Sequence, residues 1–388
     1  MRNGKKVIIG RTGLVKNCIN LLKFNKMKKR NFYQLICLLL ILAVFGSCRK
    51  DDNNFKVNFS NPQAFLLKKR GNSKSDSSDK TTLFQVDANG NITPLIEGIT
   101  VEEAIPFSNG IIIRLSNGNR YIIYLDNTYW KLEDFWAEFV GETEDGDLLF
   151  SDVSIIRKGA QTISKLQTSL SSPYVRYLSG NFAIIESNNL YQIFNTVNNQ
   201  RYNVNVNTVV ALNKEKALIS DTDGMVVINM NTGIRSPADI RCTSGENVYL
   251  KNGAAILSSC VDPPTGYVGY AIGIVDTLGQ VEVLCNDGFN ISEMNAYPSE
   301  KNNSVLFHSG DYFVIKELNK ISVVKRGNLN KTEILSGYNI TKIALKSDKV
   351  YFIAEDVYGE KMVGFFHLEQ QVVMIFVTED EYENIFTI

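Results

Sequence analysis

Short apolar runs that recur at a near-constant interval, with turn dipeptides between them and almost no helical periodicity, predict an all-β fold of the β-propeller class. The clearest hairpin joins residues 111–115 to residues 120–125 through Asn117-Gly118. An Asn-Gly pair suits a type I′ turn, which needs positive φ at both central residues. The one stretch with helical character, residues 133–140, is short.

A unit of two apolar strands around a polar turn recurs along the chain. A β-sandwich would contain seven strands in about 100 residues without seven equivalent units, whereas a spacing near 40 residues is typical of a four-stranded propeller blade. We therefore predict seven blades, or eight if the terminal segments build a blade of their own. The copies begin at Ile111, Leu148, Phe182, Ala217, Ala254, Val305 and Val350.

The two ends of the repeat region predict how the ring closes. Residues 83–96 have the pattern of a hairpin that precedes the first unit, and residues 382–388 could supply one more strand. Pairing of the first strands with the last would leave no exposed sheet edge at the ends of the repeat array. The predicted propeller domain therefore covers residues 81–388.

Charge is distributed unevenly along the chain. The 388 residues have a formal net charge of zero, but residues 1–47 contain ten basic side chains and no acidic one. From Cys48 onward there are 31 Lys and Arg against 41 Asp and Glu, a net charge of −10. An acidic body disfavours nucleic-acid binding, which depends on basic groups against phosphates. The 44% of hydrophobic residues is sufficient for a packed core.

The beginning of the chain predicts an export signal. A basic stretch, residues 27–31, precedes eleven uncharged residues at 35–45, too few for the roughly 20 that cross a membrane. This is the pattern of a secretory signal peptide, here residues 27–47. We interpret residues 1–26 as lying upstream of the true start. A plain signal peptide or an uncleaved anchor remains the alternative.

Small residues directly before Cys48 resemble the lipobox of bacterial lipoproteins, although Phe45 stands where Leu is usual. That resemblance implies cleavage before Cys48 and lipidation of its thiol. The charged patch that follows resembles the export signal of surface-displayed Bacteroidetes lipoproteins, and it consists of Arg49, Lys50, Asp51 and Asp52.

Together with the blade spacing, these features resemble the propeller-type lipoproteins of the Bacteroidetes. The resemblance implies a lipid anchor in the outer membrane and exposure at the cell surface. The polar composition of residues 48–80 predicts a flexible tether between this anchor and the folded domain.

Two groups of aromatic residues are candidate ligand-binding sites. Trp130 and Trp136 belong to the densest aromatic cluster, whose rings could stack on sugars or fill the space between blades. Tyr267 and Tyr270 lie beside a Pro-Pro pair in a predicted loop insertion. Inserted loops often carry binding residues, and a plain surface insertion is the alternative.

Several polar and sulfur-containing sites have weaker patterns. Asp276-Thr277-Leu278 resembles the short O-glycosylation sequence of exported Bacteroidetes proteins, with Thr277 as the acceptor. The acidic runs 142–147 and 221–224 could bind a cation, but they are more typical of hairpin turns. Three cysteines remain after the leader and Cys48, and they form one disulfide or stay buried thiols. They are Cys242, Cys260 and Cys285.

The sequence contains no pattern of catalytic or cofactor-binding residues. Nucleophile elbow, phosphate loop and dinucleotide motifs are missing, and the two histidines do not have the spacing of a zinc site. We therefore predict no cofactor and no metal. The predicted function is a binding or scaffold protein for a glycan or a partner protein. The alternative is a carbohydrate-active lyase or hydrolase that uses acidic residues around the central channel.

Overall fold

The folded part of the chain consists of β-strands joined by short turns. The computed structural model describes residues 55–68 and 82–387, apart from gaps at 189, 205–207, 222–223, 239–247, 250–253, 263–265, 285–305, 310–311, 318, 326–327 and 379. The described residues form 33 strands and contain no helix. Among them, accordingly, no helix is long and apolar enough to span a membrane.

The strands form eight antiparallel sheets, seven of four strands and one of five. Sheet 1 combines the first strands of the folded part with the last strand of the chain. Its spatial order is β1 (Lys56–Val57), β4 (Ile92–Glu97), β3 (Leu83–Val86), β2 (Ala64–Lys68) and β33 (Tyr382–Phe386).

Each of the other sheets is built from four consecutive strands in order. Sheet 2 contains β5 (Val101–Phe107), β6 (Gly110–Leu115), β7 (Arg120–Tyr124) and β8 (Tyr129–Leu132). Sheet 3 contains β9 (Phe139–Glu142), β10 (Leu148–Phe150), β11 (Ser154–Ile156) and β12 (Ile163–Lys165). Sheet 4 contains β13 (Tyr174–Ser179), β14 (Phe182–Ser187), β15 (Leu190–Asn195) and β16 (Arg201–Val204).

The second half of the chain repeats this arrangement. Sheet 5 contains β17 (Thr208–Asn213), β18 (Lys216–Asp221), β19 (Gly224–Asn229) and β20 (Arg235–Pro237). Sheet 6 contains β21 (Val248–Tyr249), β22 (Ala254–Asp262), β23 (Gly266–Val275) and β24 (Val281–Leu284). Sheet 7 contains β25 (Leu306–Ser309), β26 (Tyr312–Glu317), β27 (Lys320–Lys325) and β28 (Asn328–Ser336). Sheet 8 contains β29 (Asn339–Lys346), β30 (Lys349–Glu355), β31 (Lys361–His367) and β32 (Val372–Val377).

The fold is an all-β propeller, as the sequence predicts. Six of the seven predicted repeat units coincide with the second strand of a sheet. The copy placed at Val305 differs, because it precedes β25, the first strand of sheet 7, and the equivalent second strand begins at Tyr312. Sheet 1, built from the terminal segments, accounts for the eighth sheet.

The predicted tether is wrong for residues 55–68, because the folded part begins earlier than Thr81. Strand β2 lies between β3 and β33, with Phe65 opposite Phe386 and Leu66 opposite Ile385. Its four apolar residues are buried. Polar segments flank this short apolar run on both sides, so the average composition of the region does not predict a strand. The hairpin predicted at 83–96 is present as β3 and β4.

Middle strands are apolar on both faces because a neighbouring sheet covers each face. In β30, Phe352 and Ala354 pack in a cluster shared with sheet 7, while Tyr351 and Ile353 pack in a cluster shared with sheet 1. This is why the repeat units show runs of apolar residues without the alternation of a strand that has one solvated face. Burial of each large apolar side chain contributes roughly 1.5–3 kcal/mol to the stability.

Candidate functional site

A cleft of about 740 Å³ opens between sheets 2 and 3. Its lining residues come from four segments, 107–109, 124–128, 142–148 and 156–161. These segments are the turns β5–β6, β7–β8, β9–β10 and β11–β12 with the adjoining strand ends. Alternate turns of an antiparallel sheet lie at the same end of the sheet, which brings the four segments together. The volume is typical of a small-molecule site.

One wall of the cleft is aromatic. The rings of Phe107 and Tyr124 meet edge to face, with centroids 5.9 Å apart and an interplanar angle of 86°. Burial and the nearby charge of Asp126 raise the pKa of the Tyr124 hydroxyl. The hydroxyl therefore stays protonated at neutral pH and can donate a hydrogen bond.

The mouth of the cleft holds an ionised carboxylate. Asp126 Oδ1 accepts hydrogen bonds from the Thr128 hydroxyl, at 2.6 Å, and from the Thr128 N–H, at 2.9 Å. The bond from the Thr128 hydroxyl is the main cause that lowers the pKa of Asp126. Asp126 is therefore a fixed acceptor of hydrogen bonds.

A second carboxylate connects the two sheets across the cleft. Glu142, at the end of β9, accepts hydrogen bonds from the Ser108 N–H and the Ser108 hydroxyl, both at 2.6 Å. Ser108 lies in the β5–β6 turn of sheet 2. This pair of bonds fixes the separation of the two walls.

Basic groups line the opposite wall. Asp147 is buried, and its carboxylate accepts hydrogen bonds from the Arg157 guanidinium at 2.5 Å and from the Lys158 N–H at 2.8 Å. The Arg157 side chain is 42% exposed, so the ion pair orients it without removing it from the cleft. The Lys158 side chain is exposed at the same wall.

The acidic turn, residues 142–147, forms a hairpin turn as predicted, with Gly146 at φ 88°. It differs from a solvated tip because it also contacts sheets 4 and 5. The Glu144 N–H donates to the Gly180 carbonyl at 3.1 Å, and the Glu144 carboxylate lies 3.5 Å from Lys214 Nζ. No cluster of metal-ligating residues occurs here or elsewhere in the part of the chain that the structure describes.

The two predicted tryptophan sites lie outside the cleft. Trp130, in β8, is half-buried and packs on the cluster between sheets 2 and 3. Trp136 follows β8 and is 71% exposed. Phe135 and Phe139 of the same aromatic group pack against Phe150 with centroids 4.7 and 5.7 Å apart. Most of the aromatic cluster therefore fills the space between the sheets.

The predicted inserted loop around Tyr267 and Tyr270 is a long hairpin, so the loop interpretation is wrong. Both tyrosines belong to β23, where Tyr267 is opposite Val261 and Tyr270 is opposite Ser258. β-branched and aromatic residues favour pairing of the two segments into strands of nine and ten residues. Only residues 263–265, between the two strands, fall outside β22 and β23.

Of the remaining predicted residues, two lie in the described part of the chain and several do not. Thr277 is exposed in the β23–β24 turn, whose Asp276 Oδ1 accepts hydrogen bonds from the Leu278 and Gln280 N–H groups. Cys260 lies in β22. The others lie outside the described residues, namely Cys48, Arg49, Lys50, Asp51, Asp52, Cys242 and Cys285.

Apart from the acidic run 142–147, for which the sequence favours a hairpin turn, the residues that line the cleft are not among the sequence-predicted sites. They come from turns distributed over about 50 residues, and none of the four turns has a motif of its own. The signal that could have identified them is positional. In sheet 2 and again in sheet 3, the turns that line the cleft follow the first and the third strand. Equivalent turns of neighbouring sheets lie side by side.

Comparisons with known proteins support the fold. No family model matches the chain, and a search of curated proteins returns no match. The solved structure of the dihydro-heme d1 dehydrogenase NirN is similar, with a TM-score of 0.50 and 9% identity over 86% of this chain and 77% of that chain. AztD from Citrobacter koseri gives a TM-score of 0.48 and 11% identity over 84% and 97%. The similarity to NirN, at this identity, shows a β-propeller fold and nothing about activity.

Proposed function

We propose that the protein is a lipid-anchored binding protein, displayed at the surface of the outer membrane, that recognises a glycan in the cleft between sheets 2 and 3. The observation that carries this proposal is the composition of the cleft. Carboxylates, a guanidinium, hydroxyls and amides line it beside the half-buried ring of Tyr124, which packs edge to face on the buried Phe107.

A neutral glycan fits this composition because each sugar hydroxyl both donates and accepts hydrogen bonds. Asp126 supplies a fixed acceptor, and the Tyr124 hydroxyl and the Arg157 guanidinium supply donors. The half-buried Tyr124 ring can cover the apolar side of a sugar ring. A ligand of one charge sign would meet groups of the same sign on one of the two walls, so it fits the cleft less well.

Asp126 does not supply the general acid that hydrolysis of a glycan needs. A glycosidase needs a general acid that remains protonated near neutral pH, which requires a raised pKa. Hydrogen bonds from Thr128 lower the pKa of Asp126, so Asp126 can serve as the ionised carboxylate of a catalytic pair but not as its general acid. A carbohydrate-active enzyme remains the alternative to be tested on the same ligands.

Anchoring rests on the sequence. Lipid chains on Cys48 would hold the protein at the membrane through about 0.8 kcal/mol per buried methylene. The charged residues 49–52 support export to the cell surface by their resemblance to known signals. Thr277, exposed in its turn, is the proposed O-glycosylation acceptor.

The test of anchoring is the Cys48→Ala variant, expressed in a bacterium that processes lipoproteins. We expect the parent protein in the detergent phase after phase separation and the variant in the aqueous phase. Cys260→Ala is the control and should partition like the parent. Equal partitioning of Cys48→Ala and the parent would refute the anchor.

The test of ligand class is a glycan array probed with the Cys48→Ala protein. Lys158→Ala and Lys165→Ala are matched variants, because both lysines are exposed on sheet 3 and only Lys158 lines the cleft. We expect Lys158→Ala to weaken the array signal and Lys165→Ala to leave it unchanged. An array without a signal from the parent protein would overturn the glycan proposal, and release of reducing ends from bound glycans would favour the enzyme.

A further inference from the structure

The outer edge of sheet 8 is formed by β32, an apolar strand. Its sequence is Val-Val-Met-Ile-Phe-Val, and it pairs with β31 along one side. No further strand pairs with its other side among the described residues. Three of its side chains are substantially exposed, namely Val372 at 49%, Met374 at 41% and Ile375 at 37%.

Hydrogen bonds at both ends of β32 show which backbone groups are directed away from the sheet. At the far end of β32, the Thr378 N–H donates to the Lys361 carbonyl. At the near end, the Gln371 N–H donates to the His367 carbonyl in the β31–β32 turn, and His367 lies opposite Val372. In an antiparallel pair, hydrogen-bonded positions alternate along the strand. Residues 372, 374 and 376 therefore pair with β31, and residues 373 and 375 direct their N–H and C=O groups outward.

The other outer strands of the molecule differ from β32 in composition. Exposed strand edges are normally protected by charged side chains or proline, which prevent the addition of a foreign strand. Each of the other seven outer strands contains such a residue, and β32 contains none. The protecting residues are Lys56, Lys131, Lys165, Arg201, Arg235 with Pro237, Glu282, and Lys331 with Glu333.

The surroundings of β32 indicate the charge of an added strand. Beside the end of β32, the carboxylates of Asp380 and Glu381 are each paired with a lysine, at 2.7 and 2.8 Å. Asp356 and Glu360, in the turn that joins β30 to β31, add two further carboxylates next to this end. The local excess of negative charge favours basic residues in the occupant.

A second copy of the chain fits this edge poorly. A strand of six residues is roughly 20 Å long, and its addition alone buries less than the roughly 1,200 Å² of a stable protein–protein interface. A second copy would also bring the same acidic groups to the edge, on a body with a net charge of −10. An extended peptide gains affinity from main-chain hydrogen bonds without these costs.

We propose that β32 binds an extended segment of a partner protein by strand addition, and that this segment is apolar at its centre with basic residues beside it. This surface is separate from the cleft, so the proposal does not depend on the proposed function.

The test measures the binding of a fluorescent peptide, Lys-Lys-Val-Thr-Val-Thr-Val-Lys-Lys, to the Cys48→Ala protein by anisotropy. Two matched probes carry Glu in place of Lys or Pro in place of the central Val. We expect saturable binding of the first probe and at least tenfold weaker binding of the other two. Ile375→Lys should abolish binding, and Ile234→Lys, which places the same charge at another exposed apolar residue, should not.

The outcomes separate the occupants of the edge. Equal affinity for the three probes, or affinity unchanged by Ile375→Lys, would overturn the proposal. Sedimentation of the protein without peptide supplies the second measurement. If the protein is a dimer and Ile375→Lys converts it to a monomer, a second copy occupies the edge, and the proposal of a partner segment is overturned. Preserved thermal unfolding of Ile375→Lys is the control for its folding.

Discussion

Two junctions between neighbouring sheets differ in the side chains that fill them. The junction of sheets 1 and 8 is filled with apolar side chains, including the ring pairs Phe84 with Tyr382 and Tyr351 with Phe365, at 5.8 and 5.6 Å. The junction of sheets 2 and 3 has an apolar part as well, but one end opens into a polar cleft of about 740 Å³. We infer that the first junction contributes mainly stability, and we propose that the second also binds a ligand.

The largest expected effect is that of Leu66→Ala at the junction of sheets 1 and 8. Leu66 has no exposed surface, and its truncation leaves a cavity beside the strand that links the two ends of the folded part. We expect a loss of about 2–5 kcal/mol in the free energy of unfolding, measured by urea denaturation. Lys158→Ala in the cleft is the control and should change it by less than about 0.5 kcal/mol.

Gly90→Ala tests how tightly the same junction is packed. A Cβ at Gly90 would lie 2.0 Å from the Phe376 ring, whereas a Cβ at Gly98 would meet nothing within 4 Å. Both glycines have positive φ, at 88° and 78°, so both alanine variants share the backbone strain. We expect Gly90→Ala to lower the free energy of unfolding by about 1–3 kcal/mol more than Gly98→Ala. Equal losses would show that the junction has space beside Phe376.

Alkaline pH should weaken the apolar junction. Burial raises the pKa of Tyr351 and of Tyr382 to about 12, above the unfolded value near 10. A raised pKa stabilises the fold below pH 10, and this contribution is lost as the pH rises through 12. At pH 11 the expected loss is about 1 kcal/mol per tyrosine, seen as a lower urea midpoint than at pH 9. The Tyr382→Phe variant should lose less than the parent over this range.

Ser108→Ala is expected to have the smallest effect on stability. It removes the hydroxyl that donates to Glu142 at 2.6 Å and keeps the N–H bond of the same length. The bond is exposed, so we expect a cost of about 0.5 kcal/mol in thermal unfolding. Glycan affinity should fall by a larger factor than in Lys165→Ala, because the two walls of the cleft lose one connection. A stability loss above about 2 kcal/mol would mean that this junction also carries stability.

Much of the fold could be predicted from the sequence because middle strands are apolar on both faces. For this reason, apolar runs such as those at Ile111 and Val350 recur in each repeat and can be recognised in the sequence. Strand β2 was not predicted because its five residues lie between polar segments, and its partner β33 is more than 300 residues away. Local composition does not reveal a pairing of such long range.

The candidate site was less predictable because contacts between turns define it. Glu142 belongs to an acidic turn with the composition of a solvated tip, and only the position of Ser108 reveals its role. Conversely, Trp136 has the residue type of a sugar-binding platform and lies outside the cleft. Residue type does not show where a ring lies, since exposure and neighbours depend on how the sheets pack, and binding by Trp136 stays a prediction.

The most direct test of the central claim is calorimetric titration with the glycan that binds best on the array. Three forms are compared, the Cys48→Ala protein and its derivatives carrying Asn109→Ala with Lys158→Ala or carrying Trp136→Ala. If the cleft is the binding site, the double substitution weakens binding at least tenfold and Trp136→Ala leaves it unchanged. The account is contradicted if Trp136→Ala abolishes binding while the protein with both cleft substitutions binds like its parent.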